Sequence, residues 1–144
     1  MGAYQFFKNL QGSLHQLEQD VASIVVEVEV EAFVTENFEK EGFTDTSFQK
    51  WQPRKKPDPK NGKRALLVDT TALVDAATKA RTKGDTVTVT IPLDYAEVHN
   101  EGGTAGKGGS ATIPKRQYIG ESHELNHRIE RKARKLLDQK LKGK

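Results

Sequence analysis

The chain has 144 residues, which at roughly 150 residues per domain argues for a single domain, residues 1–144. Charged residues make up 30% and hydrophobic residues 35%, a composition that suits a small soluble, cytosolic domain rather than a disordered chain. With no cysteine, disulfides, thiolate catalysis and Cys-ligated metal centres are excluded. No apolar run approaches the roughly 20 residues of a membrane-spanning helix, so no membrane partner is expected. The first residues, Met1-Gly2-Ala3-Tyr4, lack the basic and apolar regions of a signal peptide, and Phe6 stands where a myristoylation motif needs Ser or Thr.

The net charge of +3 is unevenly spread. Residues 18–41 hold eight acids and one base, Lys40; residues 50–64 hold seven bases against Asp58; residues 128–144 hold eight bases against Glu130 and Asp138. That asymmetry suits contact with nucleic acid, and equally head-to-tail contact between copies.

In chain order, Leu10, Leu14, Leu17, Val21, Ile24, Val28, Ala32 and Thr35 recur at three- and four-residue steps. The stripe predicts one helix from about residue 5 to 40, stopped by Gly42. Inside it, Val26-Glu27-Val28-Glu29-Val30-Glu31 alternates as a strand would, so residues 24–34 are the contested stretch. Residues 43–64 read as an irregular connection with a mobile loop near 53–64, and Trp51 as its anchor in the core. A first strand is expected near 75–82 and a second, Thr86-Val87-Thr88-Val89-Thr90-Ile91, after a turn at Gly84-Asp85. Residues 95–99 suggest a short helix. The glycine-rich run 102–110 is expected to form neither regular structure, with mobility over about 102–112. From Ser122 onward, Leu125, Ile129, Ala133, Leu136 and Leu137 mark a second amphipathic helix. The fold class expected is α+β: a long N-terminal helix and a C-terminal helix packed on a small, mainly antiparallel sheet.

Three motifs bear on chemistry. His123-Glu124-Leu125-Asn126-His127 is a literal H-E-x-x-H, the spacing of a zinc hydrolase helix. Against it, position 133, where the extended motif wants a third His, is Ala, and both histidines share a wheel face with Glu130, Arg131 and Arg134. An exposed helix face is the reading preferred, with no metal, cofactor or catalytic residue expected. Gly106-Lys107 misses the P-loop pattern, because Glu101 and Gly108 stand where Gly and Ser or Thr belong. The basic segments lack interleaved aromatics and match no DNA-docking module, which leaves DNA contact as a secondary reading.

Several elements in fixed order carry a resemblance. They are Asn37-Phe38-Glu39-Lys40-Glu41-Gly42-Phe43, then Phe48-Gln49-Lys50-Trp51-Gln52-Pro53, then Leu66-Leu67-Val68-Asp69-Thr70-Thr71-Ala72-Leu73. Tyr95-Ala96-Glu97-Val98-His99-Asn100-Glu101-Gly102-Gly103 and Ile113-Pro114-Lys115-Arg116-Gln117-Tyr118-Ile119-Gly120 follow. Together they resemble the phage virion morphogenesis family, the tail-completion and neck proteins of tailed phages and prophages. Thr71 replaces the family's usual Gly, so a tight turn expected there would be remodelled. Gln117-Tyr118 stands where Pro-Phe is common. The resemblance implies a structural protein that assembles with other virion proteins, as a homo-oligomeric ring, located in the host cytoplasm before assembly and in the virion after. It points to Trp51, Tyr95, His99, Gly102, Gly103, Pro114 and Arg116 as structural or interface residues. In that reading Tyr95 and His99 fix the start of the glycine loop, the glycines adopt backbone angles closed to other residues, and Arg116 ties the far end to a carboxylate.

Overall fold

The computed structural model describes residues 2–7, 18–55, 65–68, 71–83 and 86–143. Its elements run β1 (Gly2–Phe7), α1 (Gln19–Lys40), β2 (Gly42–Thr44), β3 (Phe48–Lys50), α2 (Ala72–Ala77), β4 (Ala80–Lys83) and β5 (Thr86–Ile91). After these come α3 (Ala96–Glu101), β6 (Gly103–Ala105), a 3-10 turn (Lys107–Gly109), β7 (Ala111–Ile113) and α4 (His123–Lys142). The architecture is α+β, as expected. A three-stranded sheet has the order β1-β5-β4, and the pairs β2-β3 and β6-β7 form two small hairpins; every pairing is antiparallel.

The core lies between α1 and one face of the larger sheet. Val87, Val89 and Ile91 of β5 are fully buried, and the alternating Thr88 and Thr90 face the other way, the period-2 pattern legible in the sequence. On β1, Phe6 is buried and Tyr4 packs against the core, whereas Ala3 and Gln5 are exposed. This strand corrects the expectation that one helix runs from residue 5. Six residues with Tyr4 and Phe6 on one side satisfy the open edge of β5, from Gly2 opposite Ile91 to Phe7 opposite Thr86. Leu10, Leu14 and Leu17 lie outside the described residues.

Residues 24–34 are helical. In a strand, Val26, Val28 and Val30 would share one face. In α1, Val26 and Val30 are wholly buried with Phe33 and Val34, and Val28 is 52% exposed. The glutamates separate in the same way. Glu31 accepts a hydrogen bond from Ala80 N at 2.8 Å, and Glu27 accepts one from the Thr82 hydroxyl, so α1 ties down the start of β4.

The helix ends at Lys40, as expected, with Glu41 rather than Gly42 as its left-handed cap. Glu41 takes the left-handed conformation (φ 52°) and its amide bonds back to α1, while its carboxylate accepts from Leu66 N at 3.0 Å. Gly42 opens β2, where a Cβ would stand 2.3 Å from the Phe48 ring and 2.7 Å from Gln49 O, so no other residue lets the hairpin close. The hairpin β2-β3 corrects the expectation of an irregular connection at its start; residues 56–64 lie outside the described residues.

Two further corrections concern the middle of the chain. The first strand expected at 75–82 is helix α2 followed by β4 at Ala80–Lys83. Leu73 and Ala77 are buried one turn apart, a helical spacing, and Thr71 adopts helical angles (φ −36°, ψ −1°) with its hydroxyl on Asp75 Oδ2 at 2.9 Å. The departure Thr71 thus starts a helix. The glycine-rich run, expected to lack regular structure, holds the hairpin β6-β7, with Thr104 opposite Thr112.

Helix α4 matches its expectation. The Ser122 hydroxyl caps it by accepting from Leu125 N at 3.1 Å and donates to Thr44 O at 2.6 Å. Leu125, Ile129 and Ala133 are buried. The helix runs antiparallel to α1, held by Arg128–Glu36 (2.7 Å) near one end and Lys140–Glu18 (3.4 Å) near the other. Arg128 also meets Glu124 at 3.1 Å and lies 5.6 Å from the centre of the Phe33 ring. Hydrogen bonding to Glu36, ahead of that to Glu124, raises its pKa further above the ordinary arginine value. Among the described residues, no helix is long and apolar enough to cross a membrane.

Candidate functional site

The resemblance-bearing segments, far apart in sequence, meet at one end of α1. Phe38 is the floor. It stacks on Tyr118 (ring centres 5.0 Å, 27° between planes) and meets Trp51 edge-on at 5.8 Å. Both rings are almost wholly buried, and each has a polar tip that needs a partner. Trp51 Nε1 donates to Gln117 O at 2.7 Å, and the Tyr118 hydroxyl donates to Ala96 O at 2.8 Å. Burial pushes the Tyr118 pKa well above the ordinary tyrosine value. Trp51 therefore is a core anchor, as expected, and also clamps the 114–119 segment.

The centre is Asn100, on α3 and fully buried. Its Oδ1 accepts from Tyr118 N (2.9 Å) and Ile119 N (3.1 Å), and the two hydrogens of its Nδ2 are shared among Ile119 O (3.1 Å), Glu101 Oε1 (2.7 Å) and Tyr4 Oη (3.2 Å). Asn37 completes the set from α1, donating to Tyr118 O at 3.0 Å. One side chain thus joins α3, β1 and the 118–119 backbone. Nothing in the sequence singles out Asn100 beyond a polar residue at the turn of α3 that also carries buried Ala96.

His99, one residue before, lies across Tyr95 at 6.0 Å in an edge-to-face contact, and its carbonyl accepts from Arg116 N at 2.9 Å. His99 Nδ1 is buried and finds no hydrogen-bond partner among the described residues. Burial, and then the nearby Arg116 charge, lower the His99 pKa, so the ring is held neutral. Tyr95 is 44% exposed and opens α3.

Arg116 corrects one expectation. Its guanidinium reaches backbone, not a carboxylate: Nε donates to Gln52 O at 2.9 Å and an Nη to Pro53 O at 3.2 Å. The planar fork suits two successive carbonyls just after the anchored Trp51. Gly102 ends α3 at φ 78°, ψ 167°, a region essentially confined to glycine, and a Cβ there would lie 3.0 Å from Lys115 N. Gly103 follows at φ 148°. The glycines do hold angles closed to other residues. Pro114, half-buried, leads from β7 into the Arg116 segment.

The H-E-x-x-H residues lie elsewhere, at the start of α4. His123 is exposed, with Nδ1 2.7 Å from Asp45 Oδ1, and its backbone N–H bonds to the same oxygen at 2.9 Å. These two bonds hold the Asp45 pKa below the ordinary carboxylate value, the backbone bond contributing most. Glu124 is engaged by Arg128 at 3.1 Å and Arg131 at 3.6 Å, and His127 is exposed. Among the described residues, no group of three or more His, Cys, Asp or Glu side chains is placed to hold a metal ion. Lys107, at the former P-loop candidate, lies in the exposed 3-10 turn of the β6-β7 hairpin.

Compared with known proteins, residues 10–138 match the model of the phage virion morphogenesis family. No curated protein and no solved structure gives a match.

Proposed function

Because the chain belongs to the phage virion morphogenesis family, we propose that it is a structural protein of tail completion or head–tail joining, acting in a homo-oligomeric ring with other neck or tail components. The supporting observation is how the family-like residues are used. Trp51, Asn100, Arg116 and Tyr118 all bond to backbone atoms of segments distant in sequence. They build a rigid end from which the β6-β7 hairpin and Tyr95 project. Trp51, Tyr95, His99, Gly102, Gly103, Pro114 and Arg116 are assembly residues in this reading: five shape the platform, Pro114 sets the exit of the hairpin, and Tyr95 presents an aromatic surface. The protein would pass from the host cytoplasm into the virion without needing a cofactor.

Inactivating the gene in a producing phage or inducible prophage tests this. Electron microscopy of the lysate should show heads and tails that fail to join, or tails left unfinished, restored by the wild-type chain. Tyr95→Ala should restore poorly although the isolated protein folds. Joined, infectious particles in the absence of the gene would refute the proposal.

A further inference from the structure

Most carboxylates of the acid-rich α1 region do not form an outward surface. Glu18, Glu27, Glu31, Glu36 and Glu41 bond to Lys140, Thr82, Ala80, Arg128 and Leu66 of the same chain. Midway along α1, what faces outward is apolar: Ile24, Val28 and Ala32, at steps of four residues, are exposed, Ile24 to 59% and Val28 to 52%, between the half-buried Val21 and Thr35. This seam runs between the glutamates bonded to β4 and helix α4. On the α4 side a groove of about 260 Å³ is lined by Glu29, Arg128, Arg131, Lys132 and Lys135.

A complementary surface exists at the opposite edge of the sheet. Helix α3 sits beside β1, joined to it by the Asn100–Tyr4 bond, and β1 and β4 are the two outer strands. There Asp94, Glu97 and Glu101, at steps of three and four, are all exposed beside the half-exposed Tyr95. A short helix with an exposed aromatic on one flank and acids on the other fits an apolar seam with bases along its α4 side. Antiparallel seam-to-seam pairing of two copies would instead set the α4 bases against their own equivalents.

We infer that the occupant of the α1 seam is a second copy of this chain, which inserts Tyr95 against Ile24 and Val28 and sets Asp94, Glu97 and Glu101 near Arg131, Lys132 and Lys135. The two surfaces differ and lie on opposite edges, so the contact is head-to-tail, the kind that builds a ring when its rotation closes. This assigns the subunit interface of the ring proposed above and rests on that reading.

The absence of cysteine makes disulfide trapping clean. Tyr95→Cys and Val28→Cys chains are mixed and oxidised, with Thr90→Cys, on the open sheet face, as the control for random collision. The mixture should yield a linked dimer, and either variant alone no more than the control. Adding Lys132→Glu and Lys135→Glu to the Val28→Cys chain should reduce the link at least about tenfold. Asp94→Lys and Glu97→Lys in the Tyr95→Cys chain should restore it. A mixture linking no better than the control, or linked dimers of either variant with itself, overturns the interface. So does duplex DNA that, added before oxidation, prevents the link from forming and binds with steep salt dependence, which would reassign the basic face to a phosphate backbone. If the link fails while loss of the gene still leaves heads and tails unjoined, the interface alone falls; joined particles without the gene remove the ring reading itself.

Discussion

Replacing Asn100 with Ala should be the most damaging single polar change in the chain. The substitution strips Tyr118 N and Ile119 N of the acceptor at 2.9 and 3.1 Å, and Ile119 O and Tyr4 Oη of a donor. Tyr118 and Ile119 are both wholly buried, so their amides have no direct access to water. Each buried group left unpaired costs about 1–3 kcal/mol, and two amides plus a carbonyl sum to about 4 kcal/mol after partial relaxation. Against a total stability on the order of 5–15 kcal/mol, that leaves a marginal domain whose Tm falls by roughly 10–15 °C. Trp51, the single tryptophan, lies in the same cluster and reports unfolding in urea by its fluorescence. Asn100→Asp keeps the acceptor, loses both donors and adds a charge beside Glu101, so it should also be destabilising, and less so in acid. An Asn100→Ala stability loss below about 1 kcal/mol, at an unchanged urea slope, would refute the view that this side chain holds the platform together.

Three further outcomes are expected. Gly102→Ala should cost about 1–3 kcal/mol, read from the urea midpoint, because its φ of 78° with ψ of 167° is closed to side chains and Lys115 N stands in the way. Ser122→Ala removes both the cap on Leu125 N and the bond to Thr44 O, and should cost about 1–2 kcal/mol in the same assay. His99 is favoured neutral in the fold, with its pKa below the ordinary 6.5, so the unfolded chain takes up the proton first and stability falls as pH drops below that value. The urea midpoint should therefore decline from about pH 7.5 to about pH 5.5, and less so in His99→Gln.

Elements with one dominant period were legible in the sequence. The alternating Thr and Val of β5 and the Ser122 cap ahead of Leu125, Ile129 and Ala133 each point to one structure, which the fold adopts. The Val-Glu alternation in α1 carried two periods at once. Helix wins because it gives Val26 and Val30 to the core and directs Glu27 and Glu31 to β4, a tertiary reward that local propensity does not contain. The strand β1 was hidden because its pairing partner lies some 80 residues away and its Tyr4 and Phe6 also fit the start of a helical stripe. At the candidate site, the family-like segments pointed to Trp51, Arg116 and the glycine pair. The acceptors of Arg116 are carbonyls of Gln52 and Pro53, which side-chain chemistry alone does not reveal. Asn100 was passed over for the same reason, since its partners are almost all backbone atoms brought close only by folding.

In the proposed function this chain is a built-in part of the particle at its head–tail junction or tail end. Immunogold electron microscopy of purified particles, with antibody raised against the chain, is the decisive test. Label is expected at one end of the tail, at a single position on each particle. Unlabelled particles whose protein content lacks peptides of this chain would contradict it.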